Sequence, residues 1–226
     1  MLVGSSMLVN IGRRKINLVI ASNVTAGYNI FTAAGSPTDS VDVILTINTG
    51  IDVAVNLSYN TGLALNTESS WKTGSTIKII NNGTILGKGG IGGMGSGGLG
   101  GPGTNGQEAI SLGWDITLDN TNGYIYGGGG GGGAGSLVGV SQGGGGGAGY
   151  GQRSDYAADY GGRLLGGYGG TNAGYGGNTA TAGDNGTGKN GVPILGGAPG
   201  NAIKLNGHTV NWLGGNSSPH VEGAVS

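Results

Sequence analysis

Gly87–Gly101 reads GKGGIGGMGSGGLGG, with non-glycine residues at Lys88, Ile91 and Met94 and then, after one slip in phase, at Ser96, Leu99 and Pro102. A spacing of three matches neither the period of about 3.6 of an α-helix nor the period of about 2 of a strand. It matches polyproline II, a helix with three residues per turn and a rise of about 3.1 Å per residue that makes no hydrogen bonds within itself. A GGX repeat in that conformation puts its side chains on one edge and leaves two edges bare, so that another backbone can come close enough for N–H···O and weak Cα–H···O contacts. In Gly127–Gly133 the tract is pure glycine and every edge is bare. The tracts are therefore expected to pack backbone to backbone as a bundle of polyglycine II helices.

Glycine-rich, low-charge sequence is also the composition of flexible linkers, and ordering glycine has a large entropic cost. Two features favour order here: strand-like apolar segments recur between the tracts, and the tracts carry almost no Ser, Pro or charged filler.

Most of the 58 glycines lie between Gly87 and Gly200, so the composition shifts near Gly83–Gly87. Upstream the sequence reads as β. Val41, Val43, Leu45 and Ile47 alternate with Asp42, Ile44, Thr46 and Asn48, and Ile51, Val53 and Val55 continue after Thr49-Gly50. No capped helix with a 3.6 period is expected. The division expected is an N-terminal β domain over 1–75, with Phe31, Tyr59 and Trp71 as core aromatics, and a glycine-rich domain over 76–226.

A repeat runs through the second part. Ile77–Gly87 is IKIINNGTILG, Ile116–Gly127 is ITLDNTNGYIYG and Ile203–Gly214 is IKLNGHTVNWLG. Each is an alternating strand, an Asn/Gly turn and a short second strand. Similar units returning after unequal excursions suggest stacked coils of a short β-helix, with unstacked hairpins as the alternative. The fold class expected is thus all-β and irregular: a small β domain and β-helix-like coils at 77–87, 116–127 and 203–214, leading into a polyglycine II sandwich.

With 10 Lys and Arg against 11 Asp and Glu, the net charge of −1 argues against nucleic acid. Cysteine is absent, which removes disulfides and thiolate metal sites. No segment approaches the roughly 18 apolar residues of a membrane span. A secretion signal is not expected, since Arg13-Arg14-Lys15 is followed only by Ile16–Ala21, which Asn17 interrupts.

Catalytic chemistry finds little support. His208 and His220 stand apart, Asp184-Asn185-Gly186 only faintly resembles a calcium turn, and Asp115 and Asp119 are the one carboxylate pair near the coils. Neither a cofactor nor a metal is expected. Binding has more to work with. Tyr150, Tyr156, Tyr160, Tyr168 and Tyr175 gather with Arg153, Arg163, Asp155 and Asp159 in a loop-rich stretch, the residue mixture of paratopes. Leu137, Val138, Val140, Leu164 and Leu165 are apolar residues without a local core. Tyr168 and Tyr175, from their GGY and GY spacing, read as covers of the glycine bundle.

The order INNGTILGKGGIGGMGSGG at 80–98 and TNGYIYGGGGGGG at 121–133 resembles the glycine-rich receptor-recognising adhesins at the tips of the long tail fibres of T-even-type bacteriophages. The resemblance covers roughly residues 77–215. It implies a polyglycine II sandwich as scaffold, with loops between the tracts that bind an outer-membrane protein or lipopolysaccharide of a Gram-negative host. It also implies a trimeric tail fibre protein as partner, held through the N-terminal domain, and a place at the distal tip of the fibre on the virion. Ser136–Gln142 and Tyr150–Leu165 best match the variable segments. The receptor-binding residues expected are Leu137, Val138, Val140, Tyr150, Arg153, Asp155, Tyr156, Tyr160, Arg163, Leu164 and Leu165. Residues 1–75 do not match the family's attachment domain and look more like a β domain of phage tail proteins in general. A polyglycine II structural or ice-binding protein is the alternative, and a β-helical depolymerase a third.

Overall fold

The computed structural model describes residues 12–55, 63–96, 99–137, 140–153 and 158–226. The chain winds through five coils of a three-sided parallel β-helix. The first coil holds β1 (Arg14–Ile20) and β2 (Tyr28–Asn29); the second holds β3 (Val41–Ile47), β4 (Asp52–Val53) and β5 (Leu65–Asn66). In the third coil β6 (Thr76–Asn81) and β7 (Thr84–Leu86) precede an excursion carrying β8 (Gly95–Ser96) and β9 (Leu99–Gly100), and β10 (Ile110–Ser111) follows it. The fourth coil begins with β11 (Ile116–Asp119) and β12 (Tyr124–Tyr126). Its excursion carries β13 (Gly135–Leu137), β14 (Val140–Gln142), β15 (Gly186–Thr187) and β16 (Pro193–Ile194), and it ends at β17 (Ile203–Lys204). The fifth coil holds β18 (Val210–Gly214) and β19 (Val221–Glu222).

The three sides are the sheets β1-β3-β6-β11-β18, β4-β7-β12-β19 and β2-β5-β10-β17. All their pairings are parallel. The alternation in Val41–Ile47 drives this winding: Val41, Val43, Leu45 and Ile47 are buried while the residues between them are half-buried. Registered stacking then puts like on like, with Leu18, Leu45, Ile79, Leu118 and Trp212 in one column. Val53, Ile85, Ile125 and Val221 form another column and Leu65, Ile110 and Ile203 a third. These columns belong to one hydrophobic core. Each fully buried Leu or Ile contributes about 1.5–3 kcal/mol.

The division at 75/76 therefore falls between β3 and β6, neighbours in one sheet, and a single core runs from Ile20 to Ile203. The composition shift marks where excursions begin rather than where a core ends. Two expected core aromatics are paired, Trp71 buried and Phe31 meeting it edge to face at 5.0 Å, while Tyr59 lies outside the described residues. One short helix was not expected: Ile30–Ala33, capped by Asn29 Oδ1 accepting from Thr32 N–H.

The repeat at 203–214 is out of phase with the other two. Ile203–Lys204 pairs with Ile110–Ser111 on the third side, and Val210–Gly214 pairs with Ile116–Asp119 on the first. The segments equivalent to Ile77–Leu86 and Ile116–Tyr126 are Val41–Val53 and Val210–Glu222. A strand, a polar turn and a strand look alike at any corner of a β-helix, and the excursions hide the coil period.

Every excursion leaves from the corner between the second and third sides. There the third coil runs from Gly87 to Ala109 and the fourth from Gly127 to Ala202 before the third side resumes. These segments form ten extended rods. Outgoing rods lie at 87–94, 127–134, 151–153, 166–170 and 181–186, and returning rods at 101–108, 143–149, 158–162, 173–178 and 194–200. Rod 127–134 shows why its sequence is glycine. Its N–H groups donate in strict rotation to rod 101–108 (from residues 128, 131 and 134), to rod 143–149 (from 129 and 132) and to rod 181–186 (from 130 and 133). Its carbonyls accept in the same rotation from rods 87–94, 173–178 and 194–200. Six neighbours surround it, so no edge has room for a side chain. Rod 143–149 is enclosed in the same way. Rods on the outside of the bundle carry larger residues more often, from about one in three along 87–94 to two in three along 181–186.

Candidate functional site

Rods of similar length must turn alternately at the two ends of the bundle, and the hydrogen bonds fix which turns lie where. Met94 and Gly101 join one hairpin, and Ala134 donates to Gly101, so the far end holds 94–96, 99–101, 135–137, 140–142, 170–173 and 186–194. The β8–β9, β13–β14 and β15–β16 hairpins pack against one another there. The turn at 170–173 ties them together: Thr187 N–H donates to Asn172 C=O at 2.8 Å, and Thr171 N–H donates to Gln142 Oε1. From Gly127 to Gly135 a rod rises about 28 Å at the polyproline II rise. The far end is thus a group of short turns on a stiff stalk.

Leu137 and Val140, paired across β13 and β14, belong to this far end. Val138, Asp155 and Tyr156 lie outside the described residues. Apolar residues that the sequence reading passed over also lie towards the far end. Met94 is 65% exposed, Val192 62% and Leu195 63%. Alternation of turns would have found them, because each far turn falls midway between two base turns.

Four expected site residues sit at the other end. Gly149 and Tyr150 both donate to Gly162 C=O, and Gly89 donates to Gly149 C=O, which fixes Tyr150 at the base. Arg163 turns back onto the β-helix. Its Nε and Nη2 bond the two carboxylate oxygens of Asp52 at 2.6 Å each, and Nη2 also reaches Thr84 Oγ1 at 2.9 Å. These bonds from Asp52 raise the guanidinium pKa above its already high ordinary value. Leu164 and Leu165 follow in the same base turn, where Thr179 N–H donates to Leu164 C=O. Arg163, Leu164, Leu165 and Tyr150 are therefore proximal residues, and Arg163 clamps the bundle to its base. Arg153 and Tyr160 stand between the two ends, with the guanidinium 4.8 Å over the ring centroid.

Arg163→Met is expected to lower stability by about 1–2 kcal/mol, the range for hydrogen bonds to a charged group discounted for a part-exposed ion pair. Hydrogen exchange checks this, with protection falling first at Gly162 and Gly166 and staying high along 128–134. Uniform loss of protection along both segments would show that the clamp is not local.

The groups suspected of chemistry have structural partners. Asp115 Oδ1 accepts from Thr209 N–H at 2.8 Å, and Asp119 Oδ1 accepts from Thr121 N–H and Oγ1–H. Those bonds hold both carboxyls below their ordinary pKa, Asp115 chiefly through Thr209 and Asp119 through Thr121. Asn185 Oδ1, in the suspected calcium turn, accepts from Gly196 N–H. His208 stands 3.6 Å from Asp115, and His220 Nδ1 donates to Gly123 C=O at 2.7 Å while its ring stacks on Tyr124. Among the described residues no group of three His, Asp or Glu could hold a metal ion, and no helix is long and apolar enough to cross a membrane.

The comparisons agree with this architecture. A family model described as phage tail fibre adhesin Gp38 matches residues 13–225. The crystal structure of the gp37–gp38 adhesin tip complex of the bacteriophage S16 long tail fibre is similar in fold. Its TM-score is 0.68 and its identity 22%, with 95% of this chain and 82% of that chain covered. No curated protein matches the chain in sequence.

Proposed function

We propose a function from one premise: this chain belongs to the phage tail fibre adhesin family Gp38. A protein of that family works on the tail of the virion. Our reading goes further. The chain sits at the distal tip of a tail fibre and binds a receptor on a Gram-negative host surface, an outer-membrane protein or lipopolysaccharide, through the far turns of its glycine bundle. It acts by binding, without catalysis. The observation that carries this is the collection of segments at 94–96, 99–101, 135–137, 140–142, 170–173 and 186–194 at one end of a bundle whose interior rods are closed to side chains. Turns on such a scaffold can change without disturbing it, which is what a recognition surface requires. Rigid presentation also limits the ordering entropy lost on contact. Several fibres on one particle multiply a modest affinity.

The fibre partner belongs to the same reading. The structural neighbour is a complex of gp37 with gp38. Among the described residues the first two coils launch no rods, and β1 pairs with β3 alone. That end is proposed to meet a trimeric fibre protein.

The test uses the double variant Leu137→Asp with Val192→Asp. A free recombinant adhesin should compete with phage for host cells, and the double variant should compete at least ten-fold less well, a change of about 1.4 kcal/mol. Its unfolding midpoint should be unchanged, because both residues lie on far turns. Equal competition by variant and parent would remove the far end as the recognition surface. Capture of purified outer-membrane protein against capture of lipopolysaccharide then decides between the two receptor classes.

A further inference from the structure

One flank of the bundle, two residues below the far turn at 170–173, carries a row of tyrosines. Rods 158–162, 166–170, 173–178 and 181–186 lie side by side. Asp159 N–H donates to Tyr168 C=O at 2.8 Å, Gly176 N–H to Gly167 C=O at 2.9 Å and Asp184 N–H to Tyr175 C=O at 2.8 Å. Gly146 fixes the height, since it donates to Asp159 C=O and accepts from Gly167 N–H, while its neighbour Gly145 donates to Gly174 C=O. Tyr160, Tyr168 and Tyr175 are thus level with one another on three adjoining rods. They are 58%, 66% and 51% exposed.

Covering the bundle does not account for these rings. The glycine backbone beneath is already paired rod to rod, and more than half of each tyrosine faces water. Tyr168 and Tyr175 meet edge to face at 5.2 Å. Beside them runs an open groove of about 350 Å³ whose side-chain walls include Leu165, Tyr168, Tyr175, Asn178, Thr181 and Asp184 over a glycine floor.

We propose that this flank is a saccharide-binding surface, separate from the far end. A pyranose has an apolar C–H face and a rim of hydroxyls. Tyr168 and Tyr175 offer ring surface for the face, while Asn178 Nδ2 offers donors and Thr181 Oγ1 and the Asp184 carboxylate offer acceptors for the rim. Asn178 Oδ1 and the Thr181 hydroxyl proton are already bonded, to Gly166 N–H and Asn178 C=O. A protein partner fits less well. Protein hot spots bury their aromatic anchors in pockets ringed by apolar groups, and the aliphatic side chains lining this groove are Leu165 and the small Ala182. The platform is held by backbone on every side, so little ordering is needed when a chain of sugars lies across it. A glycan held on the flank while the far turns engage a receptor adds a second, weak contact and raises avidity.

Saturation-transfer NMR on the full chain tests this, with core oligosaccharide released from enterobacterial lipopolysaccharide by mild acid as the probe. Transfer from tyrosine ring protons to sugar C–H protons is expected, with a Kd in the millimolar range. The double variant Tyr168→Ala with Tyr175→Ala should weaken binding at least ten-fold. Tyr168→Phe should keep most of it. The proposal is overturned by absence of transfer to the parent chain, or by transfer unchanged in the tyrosine double variant. It is also overturned if the tyrosine variant loses a purified outer-membrane protein instead, which would assign the flank to a protein partner. Because the far-end variant is read by competition and the flank variant by sugar contact, either reading can fail alone.

Discussion

Gly131→Ala is expected to leave the chain without an ordered bundle, whereas Gly162→Ala is expected to fold normally. A Cβ on Gly131 would collide with the carbonyl of Ile91 and lie 2.9 Å from Gly92 N. Both obstacles are backbone, so no side chain can swing aside. Relief requires rod 127–134 to move away from rod 87–94, but the other five rods around it also present backbone. Overpacking a rigid interior costs about 1–3 kcal/mol. Each hydrogen bond broken as rods separate adds about 1 kcal/mol. A displacement that loses several of them approaches the whole stability of a domain, about 5–15 kcal/mol. A Cβ on Gly162 meets only Leu165 C=O at 3.5 Å, an ordinary contact. There alanine restricts the unfolded chain and is expected to be neutral or stabilising by up to about 1 kcal/mol. Circular dichroism and hydrogen exchange of the two variants, compared at equal concentration, check the pair. A Gly131→Ala protein that keeps slow exchange along 128–134 would contradict close packing of the rods.

The same sterics explain what could be read from sequence. Gly127–Gly133 is pure because all its edges face other rods, and Gly87–Met94 keeps Ile91 and Met94 on an edge that faces outward, with Lys88 buried near the base. Packing at that level writes itself directly into residue choice. The alternation in Val41–Ile47 and Ile77–Ile80 is legible for a related reason, since a strand buried on one face must repeat every second residue. Long-range relations left weaker marks. Nothing near Arg163 announces Asp52 as its partner, so an arginine among tyrosines read as part of a recognition loop when it is a clamp at the base. Tyr168 and Tyr175 read as covers because spacing alone gives the edge of a rod and not what lies above it, yet each is more than half exposed. Phase was lost for Ile203–Gly214 because Asn206-Gly207 reads like Asn82-Gly83 in sequence, although it turns with positive φ at both residues and sits at a different corner. Alternation of turns between the two ends of the bundle is the one geometric rule that would have sorted base from tip.

Asn120→Ala is expected to destabilise the β-helix by about 2–4 kcal/mol, the second large effect. Asn81 and Asn120 are fully buried at the corner between the first and second sides. Asn120 Oδ1 accepts from Asn81 Nδ2 at 2.7 Å, and Asn120 Nδ2 donates to Gly215 C=O at 2.9 Å and His220 C=O at 3.1 Å. One side chain thereby joins the third, fourth and fifth coils. Asn81 continues the ladder, its Oδ1 accepting from Gly83 N–H at 3.1 Å and its Nδ2 also reaching Tyr124 C=O at 3.2 Å. Alanine removes three bonds and leaves Gly215 C=O without its partner at a part-buried corner, while His220 C=O keeps Ile125 N–H. Each unsatisfied buried group costs about 1–3 kcal/mol, and a vacancy beside it adds to that. Asn81 Nδ2 retains Tyr124 C=O, which keeps the total below the sum of the separate terms. Urea unfolding should show a lower midpoint with an unchanged slope, and exchange should rise first at Ile125 and Gly127, whose N–H groups donate to the fifth coil at His220 and Glu222. A midpoint within about 0.5 kcal/mol of the parent, the size of an ordinary surface substitution, would mean that the asparagine ladder does not hold the coils together.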